Sequence, residues 1–226
     1  MTASARQQKI QKSIGRRLFR LSPLARPAIS RDAMGYEEAL KSANTVVIVC
    51  RAVIVEAFMS VEEHKAKVKR SIRCFVLTVS DTRDATTDTS GQSIKSQLAD
   101  EGHHLAGYRI VKDEPAEINV LLQEAIANPE IEAVIVNGGT GISPRDSTYE
   151  VIVKLFDKKL DGFGEIFRYL SYLDIGSAAI MSRAAAGTAR GKVLISLPGS
   201  SGAVKLAMEK LILPEIRHMI SQLQGK

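Results

Sequence analysis

The chain from residue 73 onward alternates short apolar runs with stretches in which apolar residues recur at helical spacing. Near-continuous apolar runs predict strands with both faces covered at 73–80, 133–136 and 192–197, and 104–111 predicts a further strand. Helices are predicted at 90–101, 117–127, 147–156, 163–173 and 202–223. Strands that alternate with helices of this length indicate an α/β fold, specifically a three-layer α/β/α sandwich with a mainly parallel sheet.

Capping residues support these boundaries. Asp88 precedes the helix at 90–101 and is a good N-cap, and Ser200 can cap the last helix. Ser147 and Glu150 have the spacing of a capping box, in which each side chain bonds to the backbone N–H at the other position. These signals predict that the helices begin directly after the loops that follow the strands.

Residues 1–58 differ from the rest of the chain in charge. They carry ten basic and four acidic residues, which accounts for the whole net charge of +6 and leaves the remainder neutral. We expect a poorly ordered basic extension at 1–58 and a folded domain at 59–226, which begins with the start-like stretch MSVEEHK. A neutral domain argues against a nucleic-acid partner.

The apolar stretch at 45–59 contains Arg51 and Glu56, which argues against a membrane-spanning helix. The two cysteines, Cys50 and Cys74, have no metal-binding or disulfide-framework spacing, and reduced thiols indicate a cytoplasmic protein. An alternative is an organelle transit peptide, because residues 1–31 are Arg-rich and contain no acid before Asp32.

Four loops with unusual polar residues follow predicted strands, at 80–91, 112–115, 137–148 and 197–203. In a parallel sheet the carboxyl ends of the strands meet at one edge, where ligands bind. The loop NGGTGISPRDST is the most informative of the four. Its glycines allow close approach to a ligand, and free N–H groups at the start of the next helix would suit a phosphate. The alternative is a tight turn without a ligand.

Asp113 and Asp146 each follow a strand at this edge. Two carboxylates beside a phosphate cradle can hold Mg²⁺ together with several waters. Taken singly, Asp113 is equally well a solvated turn residue and Asp146 a helix N-cap. The Walker phosphate loop, the complete dinucleotide fingerprint and the hydrolase nucleophile elbow are all absent from the sequence, which removes those nucleotide-binding and hydrolase classes.

A run of motifs resembles the MoaB/MogA family of molybdenum cofactor biosynthesis proteins. In chain order they are TVSDTR with a downstream DTSG, VKDE, GGTGISPRDST, GFGEIFR, SRAAAG and LPGSSGAVKLA, and they span residues 59–224. The GFGEIFR and LPGSSGAVKLA stretches are most similar to the MoaB branch. The resemblance implies the molybdopterin-binding α/β/α fold and a homotrimer or hexamer.

The resemblance also implies an enzyme, a molybdopterin adenylyltransferase. Such a nucleotidyltransferase uses ATP and Mg²⁺ to adenylylate the terminal phosphate of molybdopterin, with release of pyrophosphate, before a downstream protein inserts molybdenum. The alternative is a non-catalytic protein of the same fold that binds or delivers molybdopterin. Some members of the MoaB branch are thought to lack this activity, and one pattern of loss replaces the arginine of the R-D pair. This chain keeps Arg145 and Asp146, which favours activity.

By the same resemblance, Asp113 and Asp146 correspond to the catalytic, metal-binding acids, and Arg145 is placed to neutralise phosphate charge. The positions that would line the substrate groove are Ser80, Asp81, Gly138, Gly139, Thr140, Gly141, Glu165, Pro198, Gly199, Ser200 and Ser201. The chain departs from the family pattern at Asn137, where Thr is usual, and at Tyr149, where Pro is frequent.

Overall fold

The computed structural model describes residues 70–225. The basic extension predicted at 1–58 and the first residues of the domain predicted at 59–226 lie outside the described residues. The strands are β1 (Arg73–Val79), β2 (His104–Val111), β3 (Ala133–Asn137), β4 (Lys158–Lys159), β5 (Ala185–Ala189) and β6 (Lys192–Leu197). The helices are α1 (Thr89–Asp100), α2 (Pro115–Ala127), α3 (Thr148–Val153), α4 (Asp161–Ile175), α5 (Ser201–Ala207) and α6 (Leu213–Leu223).

The six strands form one sheet in the order β2-β1-β3-β6-β5-β4. The pairings of β1 with β2, β1 with β3, and β3 with β6 are parallel. The pairings of β5 with β6 and of β4 with β5 are antiparallel. The prediction of a mainly parallel sheet is therefore confirmed, with an antiparallel addition at one side.

Apolar side chains from successive residues of the strands pack on opposite faces of the sheet. Cys74 and Val76 of β1 belong to a core shared with α1, α4, α5 and α6. Phe75 and Leu77 belong to a second core shared with α2 and α3. Both faces of the central strands are thus covered, which explains their continuous apolar sequence and confirms the three-layer α/β/α sandwich.

The predicted strands and helices are all found, but two features of the antiparallel part were not predicted. Strand β5 has the sequence AAGTA, which is poor in β-branched and aromatic residues, and β4 has only two residues. The helix predicted at 147–156 is shorter, because the chain turns into β4. The helix predicted at 202–223 contains a wider π turn at Met208–Ile212, which ends two residues before Pro214, whose missing N–H interrupts regular α-helical bonding.

The two ends of the sheet differ in character. The loops after β1, β2, β3 and β6 lie at the carboxyl edge of the parallel strands, and these are the loops that carry the candidate site residues. The turn between β5 and β6 lies at the other edge, and its residues Arg190 and Gly191 both have positive φ. Among the residues that the structure describes, no helix is long and apolar enough to cross a bilayer.

His103 is a buried residue between α1 and β2. Its Nδ1 accepts a hydrogen bond from the N–H of Ile72 at 3.1 Å, and within residues 70–225 its Nε2 has no partner. Burial lowers the pKa of His103, and the nearby charge of Arg217 lowers it further, against a smaller opposing effect of Glu101. The fold therefore favours the neutral form of this imidazole.

We predict that His103 makes the fold sensitive to acid. The unfolded chain takes up a proton on this residue near pH 6.5 and the folded chain only at a lower pH, so stability is complete above about pH 6.5 and falls as the pH decreases toward the folded-state pKa, by up to ~1.4 kcal/mol per pH unit. Replacement by Asn keeps an acceptor for Ile72. Urea unfolding of His103→Asn should show a smaller loss of stability between pH 7.5 and 5.5.

His104→Asn is the matched control for this experiment, because His104 is the exposed neighbour on β2. It should leave the pH dependence of wild-type unfolding unchanged. Equal pH slopes for His103→Asn and the wild type would show that His103 does not carry the effect.

Candidate active site

Backbone and side-chain hydrogen bonds join the four loops at the carboxyl edge of the sheet. The N–H of Ser80 donates to the carbonyl oxygen of Val111 at 2.8 Å, and that of Gly138 donates to Leu197 at 3.0 Å. The hydroxyl of Ser90 donates to the carbonyl oxygen of Gly199 at 2.8 Å. The four loops therefore lie together, as predicted, and their polar residues lie around one site.

Two glycines after β3 are required by the close packing of these loops. Gly138 and Gly139 have φ values of 104° and 59°, which other residues rarely adopt. A side chain at Gly138 would overlap the carbonyl oxygen of Val79, and one at Gly139 would overlap Thr148 Oγ1 and Asp113 Oδ2. The chain can therefore pass between β1 and the start of α3 only without side chains here.

The N–H groups of Asp146, Ser147 and Thr148, where α3 begins, are not free, which corrects the prediction from the sequence. The N–H of Asp146 donates to Ser143 O at 2.9 Å, that of Thr148 donates to Gly139 O at 3.0 Å, and that of Ser147 donates to Asp113 Oδ1 at 3.1 Å. These bonds hold the loop in place.

The free donors lie earlier in the same loop. Within residues 70–225, the N–H groups of Gly139, Thr140 and Gly141 have no hydrogen-bond partner. These three consecutive amides are therefore the donors that the loop offers to a ligand.

Asp113 is buried and is held by α3. Its Oδ1 accepts a bond from the hydroxyl of Ser147 at 2.7 Å in addition to the bond from the Ser147 N–H. The predicted capping box is wrong for this reason: Ser147 donates to a carboxylate from another loop, a stronger acceptor, and makes no side-chain cap. The other predicted member, Glu150, pairs with Arg183 instead.

Three carboxylates come together beside this loop. Burial raises the pKa of Asp113, and the negative charges of Asp146 and Asp81 raise it further, against the hydrogen bonds from Ser147. Asp146 Oδ2 accepts a bond from the N–H of Ser143 at 3.0 Å, so Asp146 closes its own loop rather than capping α3. Among residues 70–225, however, no group of three or more acidic, histidine or cysteine side chains is arranged so that it could hold a metal ion by itself.

Arg145 is already neutralised by two of its neighbours. Its Nε lies 3.1 Å from Asp81 Oδ2, and its Nη2 lies 3.2 Å from Glu114 Oε1. These carboxylates raise the pKa of the guanidinium, with the Asp81 hydrogen bond as the largest cause. Asp81 also accepts from the N–H of Asp113 at 3.2 Å, so Arg145 and Asp81 together connect three of the loops.

A cavity of about 580 Å³ lies between the loops and the C-terminal half of α4. The predicted site residues that line it are Ser80, Gly138, Gly139, Thr140, Gly141, Asp146, Pro198, Gly199 and Ser200. Ser200 also caps α5 by accepting from the N–H of Ala203, as the sequence predicted. The loops thus supply the polar side of a single cavity.

Five predicted residues do not line this cavity: Asp81, Asp113, Arg145, Glu165 and Ser201. Asp81 lines a neighbouring cavity of about 490 Å³ on the β2 side. Asp113 lies directly behind the loop, next to Ser147. Ser201 Oγ lies 3.3 Å from Thr89 Oγ1, and Glu165 is an exposed residue near the start of α4.

The apolar side of the cavity was not predicted. Phe167, Ser171 and Asp174 line it from one face of α4, and Ile175 and Met181 line it from the end of α4 and the short 3-10 turn at Gly176–Met181. Phe167, Ser171 and Asp174 are separated by four and then three residues, so the sequence could have indicated that they share one face of a helix. Arg83, in the loop after β1, also lines the cavity.

Comparison with known proteins agrees with this architecture. Residues 75–218 match a family model described as a probable molybdopterin binding domain. Molybdenum cofactor biosynthesis protein B of Bacillus subtilis is 53% identical over 167 residues, which cover 74% of this chain and 98% of that protein. This chain belongs to the MoaB/MogA family of molybdenum cofactor biosynthesis proteins.

Solved structures of the MoaB/MogA family share the fold. The tungsten cofactor synthesizing protein MoaB from Pyrococcus furiosus is 40% identical with a TM-score of 0.62, over 69% of this chain and 98% of that one. The Mog protein from Mycobacterium ulcerans, a molybdopterin biosynthesis protein, is 28% identical with a TM-score of 0.62, over 70% of this chain and all of that one.

Arg183, in the SRAAAG motif of this family member, binds the glycine loop from the side of β5. Its Nε donates to Thr140 O at 2.9 Å, and its Nη2 donates to Gly141 O and, at 3.3 Å, to Asp146 O. Its Nη1 pairs with Glu150. A planar guanidinium can bond several carbonyl oxygens at once, so Arg183 fixes the shape of the loop that lines the cavity.

We predict that Arg183→Gln loosens this loop. Loss of hydrogen bonds from a charged donor should cost about 1.5–3 kcal/mol of stability. Hydrogen exchange at the hydrogen-bonded amides within 138–147 should become faster, and the central strands should keep their protection. Arg183→Lys should behave like the Gln variant, because an ammonium cannot reproduce the fork.

The control is Arg109→Gln, which removes an exposed arginine of β2 whose guanidinium donates to Tyr108 O. Its exchange pattern should match the wild type. Unchanged exchange at 138–147 in Arg183→Gln would mean that Arg183 does not hold the loop.

Proposed function

We propose that this family member is a molybdopterin adenylyltransferase. It binds ATP and molybdopterin, transfers the adenylyl group to the terminal phosphate of the pterin, and releases pyrophosphate. The observation that carries this proposal is the composition of one cavity, which is lined by the glycine loop with its available N–H groups, by the carboxylate of Asp146 and by apolar side chains of α4. Such a cavity fits a ligand with a flat ring and a phosphate.

The apolar wall supports a pterin. Phe167, Ile175 and Met181 line the α4 side of the cavity, and they can cover the faces of a planar heterocycle. Ser171 and Asp174 lie among them and offer hydrogen-bonding groups to ring nitrogens. The ring system then lies against α4, and the phosphate end points toward the loops after β3 and β6.

The loop after β3 supports phosphate binding. The N–H groups of Gly139, Thr140 and Gly141 can donate to phosphate oxygens without any rearrangement of the loop, because Arg183 already fixes its carbonyl groups. Transfer of a phosphoryl-type group depends on positioning and charge stabilisation more than on covalent help from the protein. A rigid donor loop meets that requirement.

The carboxylates fit Mg²⁺. The Oδ2 of Asp113 and the Oγ1 of Thr148, which is buried and has no hydrogen-bond partner within residues 70–225, both lie close against the backbone of Gly139, and Asp146 lines the cavity from the same loop. Magnesium is typically bound through one or two carboxylates plus waters and substrate phosphates. Bound there, it would neutralise the phosphate oxygens as the leaving group departs.

The alternative of a non-catalytic binding or delivery protein has a weaker basis. Carboxylates next to a phosphate site repel an anionic ligand, and the pKa of Asp113 is raised mainly by burial and also by the charges of Asp146 and Asp81. Such a cluster weakens the binding of an anion alone. If a cation lies between the carboxylates and the phosphates, the same carboxylates help to bind the ligand. We therefore favour the enzyme, acting in the cytoplasm ahead of a molybdenum insertion protein.

An exposed apolar surface on α4 supports a homotrimer or hexamer. Ile166, Tyr169 and Leu173 are each more than half exposed, at 51%, 62% and 64%, and their spacing places them on one face of the helix. Ile180 in the following turn is 85% exposed. Apolar faces of this kind are commonly buried between copies of a chain, and the proposed partner is a second copy.

We predict that Asp146→Asn and Asp113→Asn each abolish pyrophosphate release, with a loss of about 10²-fold or more, because neither amide can hold the metal charge. Thermal stability should be retained. The amide that replaces Asp146 can still accept from the N–H of Ser143, and the amide oxygen that replaces the Asp113 carboxylate can accept both bonds from Ser147. The double variant should be no worse than the poorer single variant, because both residues serve one metal.

The measurement is pyrophosphate release at saturating ATP, Mg²⁺ and molybdopterin, run beside a thermal melt. Ser143→Ala is the control, because it changes a side chain of the same loop and leaves both carboxylates and their backbone bonds in place. Near-normal turnover in Asp146→Asn would remove its role at the metal. Lost activity together with a collapsed melting temperature would show that the residue is mainly structural.

We also predict that Leu173→Glu prevents assembly. A charge in the middle of an apolar contact is strongly unfavourable, so sedimentation at micromolar concentration should show a smaller species than the wild type. Val120→Glu is the matched control, because Val120 is 54% exposed on α2, away from this surface. A wild-type monomer, or wild-type assembly in Leu173→Glu, would contradict the proposed interface.

A further inference from the structure

The large cavity is poor in positive charge. Its lining carries two carboxylates, from Asp146 and Asp174, and among the described residues Arg83 is the only basic side chain that lines it. The other arginines nearby are engaged elsewhere: Arg145 pairs with Asp81 and Glu114, and Arg183 binds loop carbonyls and Glu150. An anionic ligand therefore has one side-chain cation to meet.

Arg83 is held in place by a buried carboxylate. Its Nη1 lies 3.5 Å from Oδ1 of Asp88, which is fully buried. Asp88 is fixed by its own contacts: Oδ2 accepts from the hydroxyls of Thr78 and Tyr108, each at 2.6 Å, and Oδ1 accepts from the N–H of Gly91. The backbone of Arg83 is fixed too, because its N–H donates to Ser80 Oγ at 3.2 Å.

Asp88 stays charged despite its burial. Burial opposes the ionised form, but the hydrogen bonds from Thr78, Tyr108 and Gly91 and the charge of Arg83 outweigh it, so the pKa of Asp88 lies below its ordinary value. A charged and rigid carboxylate orients the guanidinium. Because Asp88 takes up one edge of that group and the described residues supply no other side-chain partner, most of its N–H donors remain available.

Arg83 stands where two cavities meet. It lines both the cavity of about 580 Å³ and the neighbouring one of about 490 Å³ on the β2 side, as does Ser80. Its side chain is 29% exposed, so the guanidinium is neither buried in the core nor free in solvent. A cation at this junction can contact a phosphate that enters from either side.

We propose that Arg83 is an anion-binding residue that bonds a phosphate group of the ligand in the large cavity, and that Asp88 is the residue that positions it. The chemistry it recognises is a phosphate monoester or a phosphoanhydride. This inference rests on the proposed function for the identity of the ligand, because both molybdopterin and ATP carry such groups. The planar guanidinium suits bidentate contact with two phosphate oxygens.

The test measures binding by calorimetry for the wild type and Arg83→Gln, with ATP, adenosine and molybdopterin as probes in separate arms. We expect Arg83→Gln to weaken at least one phosphate-bearing probe about tenfold or more, the loss typical of a charge-assisted bond. Adenosine should bind both proteins equally. The arm that weakens identifies whether Arg83 meets the nucleotide or the pterin phosphate. Arg83→Lys keeps the charge and should recover part of the affinity.

Arg190→Gln is the matched control, since Arg190 is exposed at the turn between β5 and β6, at the opposite edge of the sheet. It should bind every probe as the wild type does. If Arg83→Gln binds both phosphate-bearing probes within about twofold of the wild type, the inference is overturned, because a charge-assisted bond is worth more than that. An equal loss for adenosine and ATP overturns it as well, because that pattern means a distorted site.

The role of Asp88 is tested by combining it with Arg83. Asn at position 88 can still cap α1 and accept hydrogen bonds, but it cannot orient a guanidinium by charge. Asp88→Asn should therefore weaken phosphate binding when Arg83 is present and have no further effect in Arg83→Gln. Additive losses would show that Asp88 acts only on stability. Wild-type protein that binds the probes and releases no pyrophosphate contradicts the proposed function and leaves the role of Arg83 standing.

Discussion

The architecture of the site depends on one buried charge. Asp88 has no solvent contact, and a carboxylate in that position is very costly unless its oxygens are bonded. Its partners come from separate elements: Thr78 from β1, Tyr108 from β2 and Gly91 from the first turn of α1. The network reaches β3 as well, because Asn137 donates to the hydroxyl of Thr78 at 2.9 Å. Three strands and a helix are thereby held in register where the loops begin.

The fold could largely be predicted from the sequence because its central strands are covered on both faces. Continuous apolar runs mark β1, β3 and β6, and the intervening helices have clear spacing and caps. Strand β5 could not be recognised in this way, since AAGTA has little side-chain preference for a strand. Its conformation follows from pairing with β6, which is a tertiary contact.

The loops that form the site could be predicted from the sequence, but the hydrogen-bond partners of their residues could not. Parallel strands bring their carboxyl ends together, so the sequence alone was enough to place these loops at one edge of the sheet. The bond from Ser147 to Asp113 joins residues 34 apart, and that from Arg183 to Thr140 joins residues 43 apart. Local patterns such as a capping box describe only neighbours along the chain, so a stronger acceptor from a distant loop replaces the local one.

The positive-φ turn at Arg190 and Gly191 lies at the edge of the sheet opposite the candidate site, so it should tolerate inserted residues. The turn is exposed, and it connects the end of β5 to the beginning of β6 at the edge away from the glycine loop. Added residues at such a hairpin tip would extend into solvent without passing through either core. The same geometry makes this turn a suitable place to attach a fluorophore or an affinity peptide, so that the protein can be followed or immobilised while the opposite edge stays open to ligands.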